Sequence, residues 1–207
     1  MAEHLVVCIG RQFGSGGREV GIALAEQLGI SFYDKEILER AAAQSGITAE
    51  VLEQNDEKPG WGASSGLSGA GQKAATYAEY AAYMPGDRTQ GAIEAAIRTA
   101  AGQEPCVIMG RCADHILRGR PGTLSVFIHA DTEARVRRIQ HLHNLDEDSA
   151  RALVRKTDSS RANYYSYYTA RAWGAENYML ALDAGKLGKE ATVELLSHAV
   201  KLWGGVR

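Results

Sequence analysis

The stretch VVCIGRQFGSGGREVGIALAEQLG, residues 6–29, constrains the fold more than any other. Residues 5–9, LVVCI, read as a strand buried on both faces. Residues 16–28 follow with Val20, Ala23, Leu24 and Leu28 on one helical face. Between them lies GSGG, residues 14–17. A strand that feeds a helix through a glycine-rich loop asks for a parallel neighbour and a crossover, hence a layered α/β fold.

The rest of the chain repeats the alternation. Residues 30–34, 105–110, 123–130 and 178–185 read as further strands. Residues 35–45, 73–83, 88–101 and 188–202 read as helices, as do two segments after Thr132 that separate near 144–148, with Asp131 placed to cap the first. Residues 111–117 read as a helical turn, and 58–72, rich in glycine and serine, as a loop. Five strands alternating with helices predict one mainly parallel sheet covered on both faces. Ligands bind such sheets beyond the carboxyl ends of the strands, which gathers Gly10–Arg18, Asp34, Gly110–Asp114, Asp131 and Asp183 around one cleft.

Composition narrows the function. Of 207 residues, 45% are hydrophobic, enough for one ample core, and the formal net charge of −2 offers no basic surface for nucleic acid. No 18-residue apolar window suggests a membrane span, and MAEHLVVCIG reads as the approach to a first strand rather than a signal peptide. Three widely spaced cysteines, Cys8, Cys106 and Cys112, do not form a disulfide framework, and a reducing cytoplasm is the expected setting. His141 and His143, two apart, point to different helix faces and do not make a zinc pair.

The glycine loop predicts a phosphate site. Its glycines let the backbone approach an anion, and the first amides of the following helix lack intrahelical partners and carry the positive end of its dipole. The dinucleotide pattern G-x-G-x-x-G fails at Glu19, although Asp34 falls where a ribose-binding acid would. The triphosphate pattern G-x-x-x-x-G-K-[ST] keeps its second glycine at Gly16, but its first glycine slot holds Arg11, its lysine slot Gly17 and its hydroxyl slot Arg18. The amide cradle of Gly14, Ser15, Gly16 and Gly17 is therefore expected without its lysine. Arg18, one position on, is the first candidate to supply the missing cation, with Arg11, Lys35, Arg155 and Arg161 as further sources.

Together GRQFGSGGREVGIALAEQLGISFYDKEIL, CVIMGRCADHIL, DSSRANYYSYYTARAWG and NYMLALDAGKLG resemble the cytidylate kinase-like family, related to P-loop nucleoside monophosphate kinases, over about residues 5–200. The resemblance implies a P-loop NTPase-type three-layer fold with a five-stranded parallel sheet in a single domain. It implies a core of about 1–35, 103–135 and 176–207, an acceptor-binding insert of about 36–102 and a lid of about 144–172. It implies transfer of the γ-phosphoryl of ATP, as its Mg²⁺ complex, to CMP, dCMP or a related small acceptor. Asp34, Arg40, Arg111 and Asp114 would bind that acceptor, Arg40 through its phosphate. Asp158 and Arg161, sharing a helix face with Arg155, would join Arg18 in catalysis from the lid. Cys112 stands where cytidylate kinases carry an Asp, so the acceptor could instead be a non-nucleotide metabolite. The vacant lysine and hydroxyl slots leave open a third reading, a nucleotide-binding regulatory module without turnover. Magnesium ligands are left open among Ser15, Asp34, Asp114 and Asp131.

Overall fold

A computed structural model of the chain describes residues 4–54, 56–57 and 85–205. The expected loop 58–72 and helix 73–83 lie outside the described residues. In chain order the elements are β1 (Val6–Arg11), α1 (Gly17–Leu28), β2 (Ser31–Tyr33), α2 (Glu36–Ser45), α3 (Ala49–Gln54), α4 (Pro85–Gln103) and β3 (Cys106–Met109). They continue with α5 (Ala113–Ile116), β4 (Thr123–His129), α6 (Thr132–His143), α7 (Glu147–Thr169), a 3₁₀ turn (Ala175–Asn177), β5 (Leu180–Asp183) and α8 (Ala184–Gly205). The five strands form one sheet in the order β2-β3-β1-β4-β5, and every pairing is parallel. The expected α/β architecture is thus the observed one.

The central strand shows why both faces need cover. Val6 and Cys8 of β1 pack with Ile37, Leu38, Ile93, Ile97 and Ile116, beneath α2, α4 and α5. Val7 and Ile9 pack on the other side with Val20, Leu24, Val193 and Leu196, beneath α1 and α8. This is the two-residue period of a strand, read into two apolar layers. Side chains of this size buried on both faces stabilise the sheet by roughly 1.5–3 kcal/mol each. A third, smaller cluster joins α6 to α7 through Val136, Ile139, Ala150 and Val154, with Phe13 of the glycine loop against it.

Three details depart from the sequence reading. The short helix α3 was not expected; it docks through Leu52, its fully buried side chain. Asp131 occupies the cap position of α6 but makes no side-chain capping bond there. Its carboxylate lies 3.8 Å from Lys186 Nζ, and only its backbone carbonyl accepts from Arg135 N. The expected last helix follows a kink at Gly188, φ 77°, and is preceded by an extra helical turn from Ala184 that Asp183 Oδ1 starts by accepting from Lys186 N.

Candidate functional site

The loop between β1 and α1 has the backbone that its glycines permit. Gly14 and Gly16 take φ of 78° and 82°, left-handed values that side chains disfavour. Ser15 folds back on the loop, its N–H and hydroxyl both donating to the Gln12 carbonyl, the hydroxyl at 2.8 Å. Val20 N to Gly16 O, 3.0 Å, opens the bond ladder of α1, so the amides ahead of it have no intrahelical partner. A cavity of about 340 Å³ borders this end, lined by Ser15, Gly16, Glu19, Arg138 and Lys189. Glu19 is turned toward Arg138 Nη2, 2.7 Å away.

The lysine slot is closed by packing. Gly17 is buried, and a Cβ there would come within 2.7 Å of Arg11 Cβ and 3.3 Å of Ile128 Cβ. Any side chain at 17 would collide with the end of β1, so a cation must enter from elsewhere.

Four arginines do enter. Arg11 leaves the end of β1, Arg18 the first turn of α1, Arg111 the residues after β3, and Arg161 the middle of α7. They face three carboxylates. Glu57 is gripped on both oxygens, by Arg11 Nη1 at 2.6 Å and Arg161 Nε at 2.8 Å. Asp56 takes two bonds from Arg111, Nε at 2.9 Å and Nη2 at 2.7 Å. Asp34 is shared between Arg111 Nη1 at 3.2 Å and Arg18 Nε at 2.9 Å. The guanidinium of Arg111 is almost fully buried, whereas 58% of the Arg18 side chain is exposed.

The charges answer to one another. Burial alone would raise the Glu57 carboxyl, but Arg11 and Arg161 outweigh it and hold the group well below the usual carboxylate range. At Asp34 burial is likewise overcome, chiefly by Arg111 and Arg11, and the shift is downward. Asp56 goes the other way: burial pushes it up, with Glu57 adding to the push, although Arg111 lies alongside. Burial lowers Arg161, and neighbouring Arg11 lowers it further.

Arg111 is aimed by its backbone. Gly110, Arg111 and Cys112 have φ of 64°, 52° and 55°, three consecutive left-handed residues at the carboxyl end of β3. For the two that carry side chains this costs about 1–3 kcal/mol each. The corner closes with Ala113 N donating to Gly110 O, and Arg111 Nη1 also donates to Met109 O.

Helix α7 ties the two halves of the cleft together. Asp158 Oδ1 accepts from Phe13 N at 2.8 Å, while Oδ2 binds Arg135 Nη1. Arg135, buried, also donates to the carbonyls of Ala130 and Phe13. One turn further on, Arg161 reaches Glu57 and donates to Arg11 O at 3.3 Å.

Of the residues singled out in the sequence, Gly14–Gly17, Arg18, Asp34, Arg111, Asp158 and Arg161 therefore meet at the carboxyl edge of the sheet. Arg40 does not. Its guanidinium lies over the Tyr33 ring, donates to Tyr33 Oη and Gln103, and pairs with Glu104 at 3.5 Å, at the amino end of β3. An aromatic face and a carboxylate draw it to the opposite edge. Asp114 is held by two tyrosines that line the same small cavity as Arg11, Arg111 and Arg161: it accepts from Tyr165 Oη at 2.7 Å and Tyr178 Oη at 3.3 Å, and burial raises its carboxyl. Asp158 pairs with Arg135 rather than with Arg155, which is exposed. Arg18 pairs with Asp34, across from β2, and not with a carboxylate of its own helix. The tyrosines of NYYSYY pack: Tyr164 and Tyr165 are buried in the core, and Tyr164 donates to Gln90.

Asp56, Glu57 and Arg135 were not marked by the sequence. Glu57 lies 46 residues from Arg11 and 104 from Arg161, so no local spacing announces it. Arg135 sits in a basic helix face, RVRR, where nothing local distinguishes the one arginine that turns inward.

Such a sheet, with a glycine loop after its central strand and arginines converging on it, defines a kinase-like α/β protein. The same fold occurs in a shikimate kinase from Bacteroides thetaiotaomicron (14% identity, 95% of this chain and 98% of that one, TM-score 0.55). It occurs in an uncharacterized protein from Eubacterium ventriosum ATCC 27560 as well (26% identity, 96% and 98% covered, TM-score 0.71). The chain belongs to the cytidylate kinase-like family, whose model matches residues 6–186. A cytidylate kinase of Methanosarcina acetivorans is 29% identical over 101 residues, which span 47% of this chain and 56% of that relative.

Proposed function

We propose that this chain is a phosphotransferase that moves the γ-phosphoryl group of ATP, supplied as the magnesium complex, to a small phosphorylated acceptor such as CMP or dCMP. One observation carries the reading: the open amides at the start of α1 and four arginines from separate elements converge on one edge of the sheet. Phosphoryl transfer is mostly positioning and charge stabilisation, and this is the equipment it needs. The amides of Gly14–Gly17 cradle the donor phosphates. Arg18, whose side chain is the most exposed of the four arginines, swings from Asp34 to the transferring group and does the work of the absent lysine. Arg111 and Arg161 neutralise the acceptor phosphate. Helix α7 acts as the lid, with Asp158 fixing the loop rather than touching the reacting atoms. In this reading α2 to α4 belong to the acceptor-binding insert of about 36–102, between parts of a core of about 1–35, 103–135 and 176–207. An acceptor phosphate oxygen attacks, so no strong general base is called for.

The magnesium ion would enter with the nucleotide as part of the substrate. Phosphate oxygens and water would supply most of its ligands, with Asp34 Oδ2, freed when Arg18 swings away, and the Ser15 hydroxyl, which keeps its lone pairs while donating to Gln12, as the side-chain candidates.

A different acceptor has specific support. Cys112 replaces the Asp of cytidylate kinases, and both Asp114 oxygens already accept from tyrosines, which favours an acceptor without a cytosine ring. The closed slot at Gly17 is likewise compatible with a regulatory module that binds nucleotide without turning it over. One experiment separates the three: single-turnover transfer from γ-labelled ATP to a panel of nucleoside monophosphates, nucleosides and phosphorylated sugars. Label on CMP or dCMP supports the reading; label on another acceptor replaces the substrate; tight ATP binding with label on none replaces the enzyme by the module.

A further inference from the structure

The arginines that should meet a phosphate are already occupied. Glu57 offers two oxygens to Arg11 and Arg161, and Asp56 offers two to Arg111 in a forked pair. These are the contacts a tetrahedral phosphate dianion makes with guanidinium groups. The space left between Gly10, Arg11, Glu57, Gly110, Arg111 and Arg161 is about 20 Å³. That is room for about one water and no more. The fit is tight enough that a Cβ on Gly110 would meet Glu57 Oε1 at 2.5 Å. Glu57 itself has φ of 50°, a left-handed conformation unusual for a residue with a long side chain.

We propose that Asp56 and Glu57 form a built-in phosphate mimic that fills the acceptor subsite, and that a phosphate monoester dianion binds by displacing Glu57 from Arg11 and Arg161. This rests on the reading of the cleft as a phosphoryl-transfer site, and it adds Arg11 to the residues that meet the acceptor. The pair lies one residue beyond α3, a helix of 6 residues anchored by the buried side chain of Leu52. A helix so short has little stability of its own. The carboxylates can therefore withdraw without disturbing the sheet. With the acids in place the arginines are kept apart and correctly spread; with them withdrawn, three guanidinium groups are left for the incoming ligand. Together the two carboxylates supply two negative charges, so a dianion replaces the pair in full where a neutral or singly charged acceptor does not.

The test is calorimetric titration with phenyl phosphate, a simple phosphate monoester, of the wild-type chain, Glu57→Gln and the double variant D56N/E57Q, each checked for a cooperative melt. Glu104→Gln, a carboxylate at the far edge of the sheet, controls for net charge. A site that is free for only about a tenth of the time binds about tenfold more weakly than the same site left open. Glu57→Gln should therefore bind phenyl phosphate about tenfold more tightly, the double variant at least as tightly, and Glu104→Gln unchanged. Equal or weaker binding by Glu57→Gln overturns the proposal. Should the variants fail to fold, wild-type crystals soaked in phenyl phosphate decide: a phosphate between Arg11 and Arg161 with Glu57 turned out supports it, and a phosphate elsewhere with both Glu57 contacts intact refutes it. These readouts contain no transfer step, so loss of label transfer would unseat the kinase reading alone.

Discussion

Arg18 and Glu57 show how much depends on single side chains here. Arg18 is held at its Nε by Asp34 while more than half of its side chain is exposed, so it can reach a phosphate with little rearrangement. If it is the substitute for lysine, Arg18→Ala should lower single-turnover transfer by about 100-fold or more, the scale of losing one charged stabiliser. An unchanged rate would pass the role to Arg11 or Arg161. Glu57 ties the cleft to stability. Its carboxyl titrates well below the ordinary value of 4.5, so its favourable contribution is complete above about that pH and is lost as the pH falls below it. Urea midpoints measured at pH 7 and pH 3.5 should drop further for the wild type than for Glu57→Gln; equal drops would mean that the two arginines do not hold it in solution.

The elements were largely legible, and the reason is periodicity. All five strands carry uninterrupted or alternating apolar runs, and α1, α2 and α4 show their buried faces at helical spacing, so each could be read from its own residues. The glycine loop was legible too, since only backbone freedom explains GSGG between a strand and a helix. Helix α3 was not, because one buried leucine in 6 residues makes no period. Nor were the partners of the charges. Arg40 and Asp114 matched a pattern in sequence, yet Tyr33 with the distant Glu104 draws Arg40 out of the cleft, and Tyr165 and Tyr178, 51 and 64 residues away, occupy Asp114. The closed slot at 17 was also hidden, since it depends on where Arg11 and Ile128 stand. It yields a test at the level of the strand–loop–helix unit. Restoring the usual motif by Gly17→Lys should not raise turnover. It should lower stability by about 1–3 kcal/mol, the cost of overpacking a filled site, seen as a reduced urea midpoint. A faster, equally stable variant would show that the loop yields more easily than its packing indicates.

At the level of the whole molecule, α7 spans both parts of the cleft. Asp158 holds the amide of Phe13 in the glycine loop, and Arg161, on the next turn, holds Glu57, in the proposed acceptor subsite. A rigid rod gripped at two neighbouring points cannot shift at one and stay still at the other. Whichever guest arrives first thus prepares the berth of the second, and thermodynamic reciprocity makes the favour equal in both directions. The dissociation constant of a non-hydrolysable ATP analogue, measured with and without saturating acceptor, should change by the same factor as that of the acceptor with and without the analogue. A factor of one would mean that the helix carries no message between its two grips.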